Sequence, residues 1–149
     1  MHLYLVACMA PHMESWINLF RAHRLARSNI DSELKAADLP PLEWYDILLE
    51  LDHAGAAGLR PNELEKRLLL PQHGVSRAMA GMEKDGLIVR QRDQHDKRGF
   101  RFHITPAGYD LRTEMWQVYE PVITRCIGDP LSISQATDLA RLLGKITSG

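Results

Sequence analysis

A mainly α-helical fold carrying one β-hairpin is what this sequence predicts, and three observations predict it. Through most of the chain apolar residues recur at steps of three and four, the spacing that gathers them on one face of a helix. Two short stretches alternate instead, Leu87 to Arg92 and Phe100 to Ile104, and a charged run, Asp93-Gln94-His95-Asp96-Lys97-Arg98-Gly99, lies between them. A short helix, a turn and a second helix stand directly before that hairpin. Together they outline a winged helix-turn-helix with a two-stranded β wing, flanked by N- and C-terminal helices. The 149 residues suit one domain, 1–149, long enough to bury a real core.

In chain order, the first ten residues are apolar, and Leu5-Val6-Ala7-Cys8 matches a lipoprotein cleavage box. No Lys or Arg precedes Cys8 and the stretch is too short for a signal segment or a membrane span, so no export is expected. Met9 or Met13 would serve as a start as well as Met1. With only Cys8 and Cys126, the chain reads as cytoplasmic, without a structural disulfide and with no membrane partner.

Pro11 to Ala36 predicts one long helix, with Met13, Trp16, Ile17 and Phe20 as its apolar stripe and Arg21, Arg24 and Arg27 at steps of three. Its far half is too sparse in apolar residues for the inside of one domain, so we expect it to pack partly on a second subunit. Leu39-Pro40-Pro41 breaks the chain. Leu42 to Ala54 is the second helix, ended by Gly55 and Gly58, and Trp44, Tyr45, Ile47, Leu48, Leu49 and Leu51 cover most of its circumference, so it should be central. Pro61 opens the third helix, with Leu64 and Leu68 facing the core; Arg60 stands where Ser or Thr would cap it, a departure of about 1 kcal/mol.

The helix from Pro71 to about Asp85 divides into two faces. Val75, Ala78, Met79 and Met82 are apolar, whereas Gln72, His73, Ser76, Arg77, Ala80 and Lys84 lie opposite, with the hydrogen-bonding residues in the first turn and a half. That end is the one a recognition helix inserts into the major groove, where Gln and Arg can each bond two base-edge atoms. The plainer alternative is the wet face of an amphipathic helix. The basic hairpin tip suits phosphates or a minor groove, with Lys84, Arg90 and Lys97 available to phosphates and Arg98 to the groove. Asp96 is misplaced as a DNA contact but suits a forked bond to Arg98; a solvated turn is the alternative here.

After the wing, Thr105 and Pro106 start a helix to about Ile127, with Leu111, Met115, Val118, Val122 and Cys126 as its stripe and Pro121 expected to kink it or end it early. Ser132 and Gln135 form a capping-box pattern for the last helix, whose apolar face is Leu139, Leu142, Leu143 and Ile146. The terminal helices carry more apolar surface than one core can cover, so a twofold dimer is expected. Net charge over the whole chain is −1, but it runs −4 over residues 1–59, +4 over 60–101 and −1 over 102–149. Positive charge therefore sits on the winged helix, the footprint of a DNA-contacting module.

The ordered set Val75-Ser76-Arg77, Glu83-Lys84-Asp85-Gly86-Leu87-Ile88-Val89-Arg90, Asp96-Lys97-Arg98-Gly99 and Ile104-Thr105-Pro106-Ala107-Gly108 resembles the multiple antibiotic resistance regulator (MarR) family of bacterial transcription factors. A looser likeness in helix pattern runs from about Met13 to Ile146. Where the family usually has Ser or Thr near the start of the recognition helix, this chain has Pro71, so a phosphate contact from that hydroxyl is missing. The resemblance implies dimerisation helices over 11–36 and 109–149 around a DNA-binding core at 39–108, and a homodimeric repressor of a palindromic operator, relieved by a small aromatic or phenolic ligand. For that effector Trp16, Phe20, Trp44 and Tyr45 supply aromatic walls and Arg21 a cation, ordinary core packing being the alternative for the aromatics.

Rival readings are a winged helix that binds protein and a regulator that senses oxidants through cysteine. Against the first stand the basic tip and the polar turn, and against the second the lack of any feature lowering a thiol pKa beside Cys8 or Cys126. No cofactor is expected: His2, His12, His23, His53, His73, His95 and His103 are scattered, with no metal-ligand pair. Nothing points to an enzyme, because there is no phosphate loop, nucleophile elbow or paired-carboxylate motif.

Overall fold

The computed structural model describes residues 10–69, 74–93, 96 and 99–148. Their order is α1 (Pro11–Ala36), α2 (Leu42–Ala54), α3 (Pro61–Arg67), α4 (Val75–Lys84), β1 (Ile88–Arg92), β2 (Phe100–Ile104), α5 (Pro106–Ile123) and α6 (Ile133–Thr147). The fold is the mainly helical winged helix-turn-helix that the sequence predicts. The chain divides into two compact units: Leu34–Tyr119, and the paired segments Met1–Glu33 and Glu120–Gly149.

The first unit is the winged helix. Leu48, Leu51, Leu64 and Met82 are wholly buried in one apolar cluster with Ile47, Leu59, Val75, Met79, Ile88 and Phe102. Helix α2 is central to it, with Leu42, Tyr45, Asp46, Ile47, Leu48 and Leu51 buried, as its all-round apolar pattern requires. Helix α1 stops because Asp38 takes a left-handed backbone, φ 58°, so that the Leu39 N–H reaches the Leu34 carbonyl at 2.9 Å and the Asp38 N–H that of Lys35 at 3.1 Å. This is a Schellman ending with Asp in place of the usual Gly. Helix α3 lacks an Ser or Thr cap, yet Glu63 Oε2 accepts the Arg60 N–H at 2.9 Å, half of a capping box.

The wing pairs β1 and β2 antiparallel, Ile88 opposite Ile104 and Arg92 opposite Phe100, and Leu59 bridges the outer side of Phe102. Its two feet are held together. Thr105 donates its N–H to the Leu87 carbonyl at 3.0 Å and its hydroxyl to the Gly86 carbonyl at 2.7 Å, while Thr105 Oγ1 caps α5 by accepting the Gly108 N–H at 3.1 Å. A β-carbon at Gly108 would overlap the Leu87 carbonyl oxygen, so no larger residue fits without moving backbone.

The second unit is formed by the terminal segments. Asn29 Nδ2 donates to Cys126 Sγ at 3.4 Å, and Arg125 pairs with Glu33 at 3.0 Å. Cys126, on the apolar stripe read from the sequence, is half-buried. Helix α5 passes Pro121, ends its α-winding at Ile123 and continues as a π turn over Thr124–Gly128, where the Asp129 N–H bonds the Thr124 carbonyl at 2.8 Å. The expected early ending at Pro121 is therefore not met: helical winding continues through it to Gly128, past the expected end at about Ile127, and only its type changes, from α to π, at Thr124. Helix α6 has the capping box read from its sequence: Ser132 Oγ accepts the Gln135 N–H at 3.2 Å and Gln135 Oε1 accepts the Ser132 N–H at 2.9 Å. Large apolar side chains stay in solvent here, among them Trp16 (60% exposed), Phe20, Leu25, Leu142 and Ile146 (71%).

Candidate nucleic-acid interface

Helix α4 turns one face inward and one outward. Val75, Met79 and Met82 are buried, and a β-carbon at Gly81 would meet the Trp44 ring at 3.2 Å, so the helix lies close on α2. Ser76, Arg77, Ala80 and Lys84 are exposed on the opposite face. The helix begins at Val75, not Pro71, because Gly74 holds a left-handed backbone at φ 90° that helical winding cannot pass. Ser76 and Arg77 are thus its first-turn polar residues. Gln72, His73, Lys97 and Arg98, with Pro71, Cys8 and His95, lie outside the described residues.

The helix-turn-helix and the wing are fixed by buried acids. Asp46 on α2 accepts the Leu69 N–H at 2.8 Å, holding the chain just past α3. Asp93, at the end of β1, is buried as well, with Arg60 Nη2 at 2.7 Å and Arg101 Nε at 3.0 Å from its Oδ2. It is part of the scaffold and not of a solvated tip. Asp96 lies 3.9 Å from Arg60 Nη2. Arg90 pairs with Glu83 at 3.0 Å and lies over the Phe100 and Phe102 rings at 5.5 and 5.3 Å, although half of its side chain still meets solvent. Arg92, which the sequence reading did not single out, is exposed beside it. Glu63 is held below the usual carboxylate range, first by the Arg60 N–H and then, against some desolvation, by Arg101, Arg60 and Arg67.

The residues expected to hold an effector fall in both units. Trp16 and Phe20 pack together at 6.0 Å in one, and Arg21 lines an exposed groove of α1 with Arg24, Arg27 and Asp31. In the other, Trp44 packs on the apolar core, while Tyr45 stacks on Trp116 at 6.0 Å and meets Tyr119 edge-on at 5.2 Å. Beside Tyr45 stands Arg112, which pairs with Asp52 at 3.0 Å, lies over the Tyr109 ring at 5.0 Å and keeps its Nε buried without an acceptor. Burial raises the Tyr45 phenol pKa, partly offset by Arg112. Sequence reading missed Arg112, for which only its step of one from Leu111 on an apolar stripe offered any signal. Among the described residues no three His, Cys, Asp or Glu side chains gather as a metal site, and no helix is long and apolar enough to cross a membrane.

The sequence model of the MarR family matches residues 37–99, the helix-turn-helix and most of the wing, so that segment is of MarR-family type. Solved structures share the fold over nearly the whole chain. One is a MarR family transcriptional regulator from Streptomyces coelicolor in complex with DNA, 24% identical, covering 95% of this chain and 92% of its own at a TM-score of 0.82. Another is BpsR of Bordetella bronchiseptica, whose DNA binding is regulated by 6-hydroxynicotinic acid, 18% identical over 95% and 99% at 0.79. A third is an organohalide-sensing transcriptional regulator in its 2,4-dichlorophenol-bound form, 23% identical over 96% and 83% at 0.77.

Proposed function

We propose that this protein, a chain with a MarR-type winged helix, is a sequence-specific DNA-binding regulator that works as a homodimer. One observation carries the reading. The face of α4 opposite its buried stripe presents Ser76, Arg77 and Lys84 to solvent, on a segment with an excess of positive charge in an otherwise acidic chain. Arg77, in the first turn, is the base-reading residue, able to bond O6 and N7 of a guanine together. Ser76, Lys84, Arg90 and the tip residue Lys97 serve phosphates, Arg98 serves the minor groove, and Gln72 and His73 complete the approach to the major groove.

Two copies are needed for a palindrome, with recognition helices about one DNA turn, roughly 34 Å, apart. The exposed apolar side chains of α1 and α6 support a second copy as what covers them. Bound so, the dimer would exclude polymerase, which makes repression by occupancy the simplest outcome. A small aromatic acid or phenol is the proposed effector, a reading supported by the regulators of like fold that respond to 6-hydroxynicotinic acid and bind 2,4-dichlorophenol. Tyr45, with Arg112 beside it, offers a ring and a guanidinium to such a ligand; Trp16, Phe20, Arg21 and Trp44 are its further candidates.

The test is a mobility-shift titration with DNA flanking the protein's own gene, at two salt concentrations and against random competitor. Saturable binding that survives competitor is expected, and aromatic acids added to the complex should release it. Binding lost to competitor at equal weight would leave a fold without this function.

A further inference from the structure

Three guanidinium contacts meet on one oxygen at the foot of the wing. Arg60 donates to Asp93 Oδ2 from Nε at 2.8 Å and from Nη2 at 2.7 Å, and Arg101 donates to the same atom from Nε at 3.0 Å. The Asp93 side chain is 1% exposed, so this carboxylate is stable there only while its cationic partners stay in place. Each partner reaches a different part of the unit. Arg60 is the residue before α3, and its own N–H is held by Glu63 at 2.9 Å. Arg101 sits in β2, and its Nη1 extends to the Gly58 carbonyl and to Glu63 Oε2, both at 3.2 Å. Outward from the acid, the Asp93 N–H bonds the Gly99 carbonyl at 2.9 Å and the Gly99 N–H bonds the Asp96 carbonyl at 2.9 Å. One buried carboxylate therefore joins the end of β1, the facing strand and the start of α3.

We propose that Asp93 is the positioning residue of the wing: by drawing Arg60 and Arg101 onto one oxygen, it fixes the direction in which the hairpin leaves the helix-turn-helix and hence where its tip meets the minor groove. This rests on the DNA-binding reading above. Arg60 and Arg101 then act inward, orienting the hairpin, while the charges that meet DNA are those of α4, of Arg90 on β1 and of the tip. Desolvation offsets much of the attraction within a buried ion pair, so the cluster adds little net stability, while removing one partner leaves a buried charge unmatched.

Asp93→Asn keeps the shape and removes the charge. Dimethyl sulfate reads both grooves of the operator duplex at once, at guanine N7 in the major groove and adenine N3 in the minor. With protein at saturation, the variant should retain the guanine protection of α4 and lose or shift the adenine protection of the wing, with operator affinity weaker by about tenfold, the scale of one lost set of charged hydrogen bonds. Circular dichroism checks that it folds. If it does not, Arg60→Gln, which leaves Asp93 paired with Arg101, carries the same expectation. Adenine protection identical to wild type in a folded variant overturns the proposal, as does a parallel loss in both grooves, which a merely structural role would give. Wild-type protein that protects no duplex sinks the DNA reading itself, and the proposal with it, before any variant is compared.

Discussion

The two units of this molecule handle apolar surface in opposite ways. In the winged helix, side chains from α2, α3, α4 and the wing close over one another, and Leu48, Leu51, Leu64 and Met82 keep no contact with water. In the unit of the terminal segments, Ile30 and Val122 are buried, but Trp16, Phe20, Leu25, Leu142 and Ile146 remain in solvent. A region that buries its own core can be specified by one chain. One that leaves nine large apolar side chains exposed among its described residues, Met13 and Ile133 included, does not close over its own surface, and this is the ground on which a second copy is proposed there.

The largest break in this contrast should come from the wet side. Leu142→Asp, half-exposed in the single chain, is expected to leave the helical circular dichroism intact while sedimentation shows monomers, and operator affinity should fall by about two to four orders of magnitude as the linkage between half-sites is lost. An unchanged dimer would remove α6 from the interface. Next comes Leu48→Ala, wholly buried, which should cost about 2–5 kcal/mol in urea unfolding. The paired control sharpens the difference: the Leu48→Ala cost should not depend on protein concentration, whereas that of Leu142→Ala should. Smaller again, Arg77→Ala should lose about 1–3 kcal/mol of discrimination between operator and random DNA, with little change in stability. Equal weakening on both DNAs would make Arg77 a phosphate contact.

The smallest effect belongs to Glu63. Its carboxyl is held below the usual value, chiefly by the Arg60 N–H. The stability it contributes is therefore present above the unfolded-state pKa of 4.5 and lost as pH falls through the lower folded-state value. Glu63→Gln should be less stable than wild type near neutral pH, and the gap should close on acidification below pH 4.5. A gap constant with pH would mean that the amide keeps all that the carboxylate does.

Much of this was legible in the sequence because it is local. Helices α1 and α2 occupy the residues their prolines and apolar spacing indicate, and the Ser132–Gln135 box lies within one turn. The start of α4 was not legible: Pro71 resembles a first helical residue, yet Gly74 takes a backbone that defers the helix to Val75. Nor were the buried acids. Asp93 finds Arg60 across 33 residues, and Asp46 the Leu69 N–H across 23. Nothing in a charged run such as Asp93 to Gly99 marks which acid turns inward, because that depends on where an arginine of another element arrives. In the same way, Tyr45 was singled out for its ring alone, and the Arg112 beside it comes from α5.

The feet of the wing have a consequence for how this protein can be altered. With Thr105 tied to Gly86 and Leu87, and Leu59 bonded along Phe102, both ends of the hairpin are anchored whatever occupies its tip. Residues inserted between Asp96 and Gly99 would open the turn that the Gly99 N–H closes on the Asp96 carbonyl and add the entropy of a longer loop, about 0.6 kcal/mol for each doubling of its length. The wing is in this sense an exchangeable cassette: tips of other lengths and charges grafted onto the same foundation would, on the DNA-binding reading proposed above, give a set of proteins that differ in minor-groove preference while sharing one helix-turn-helix.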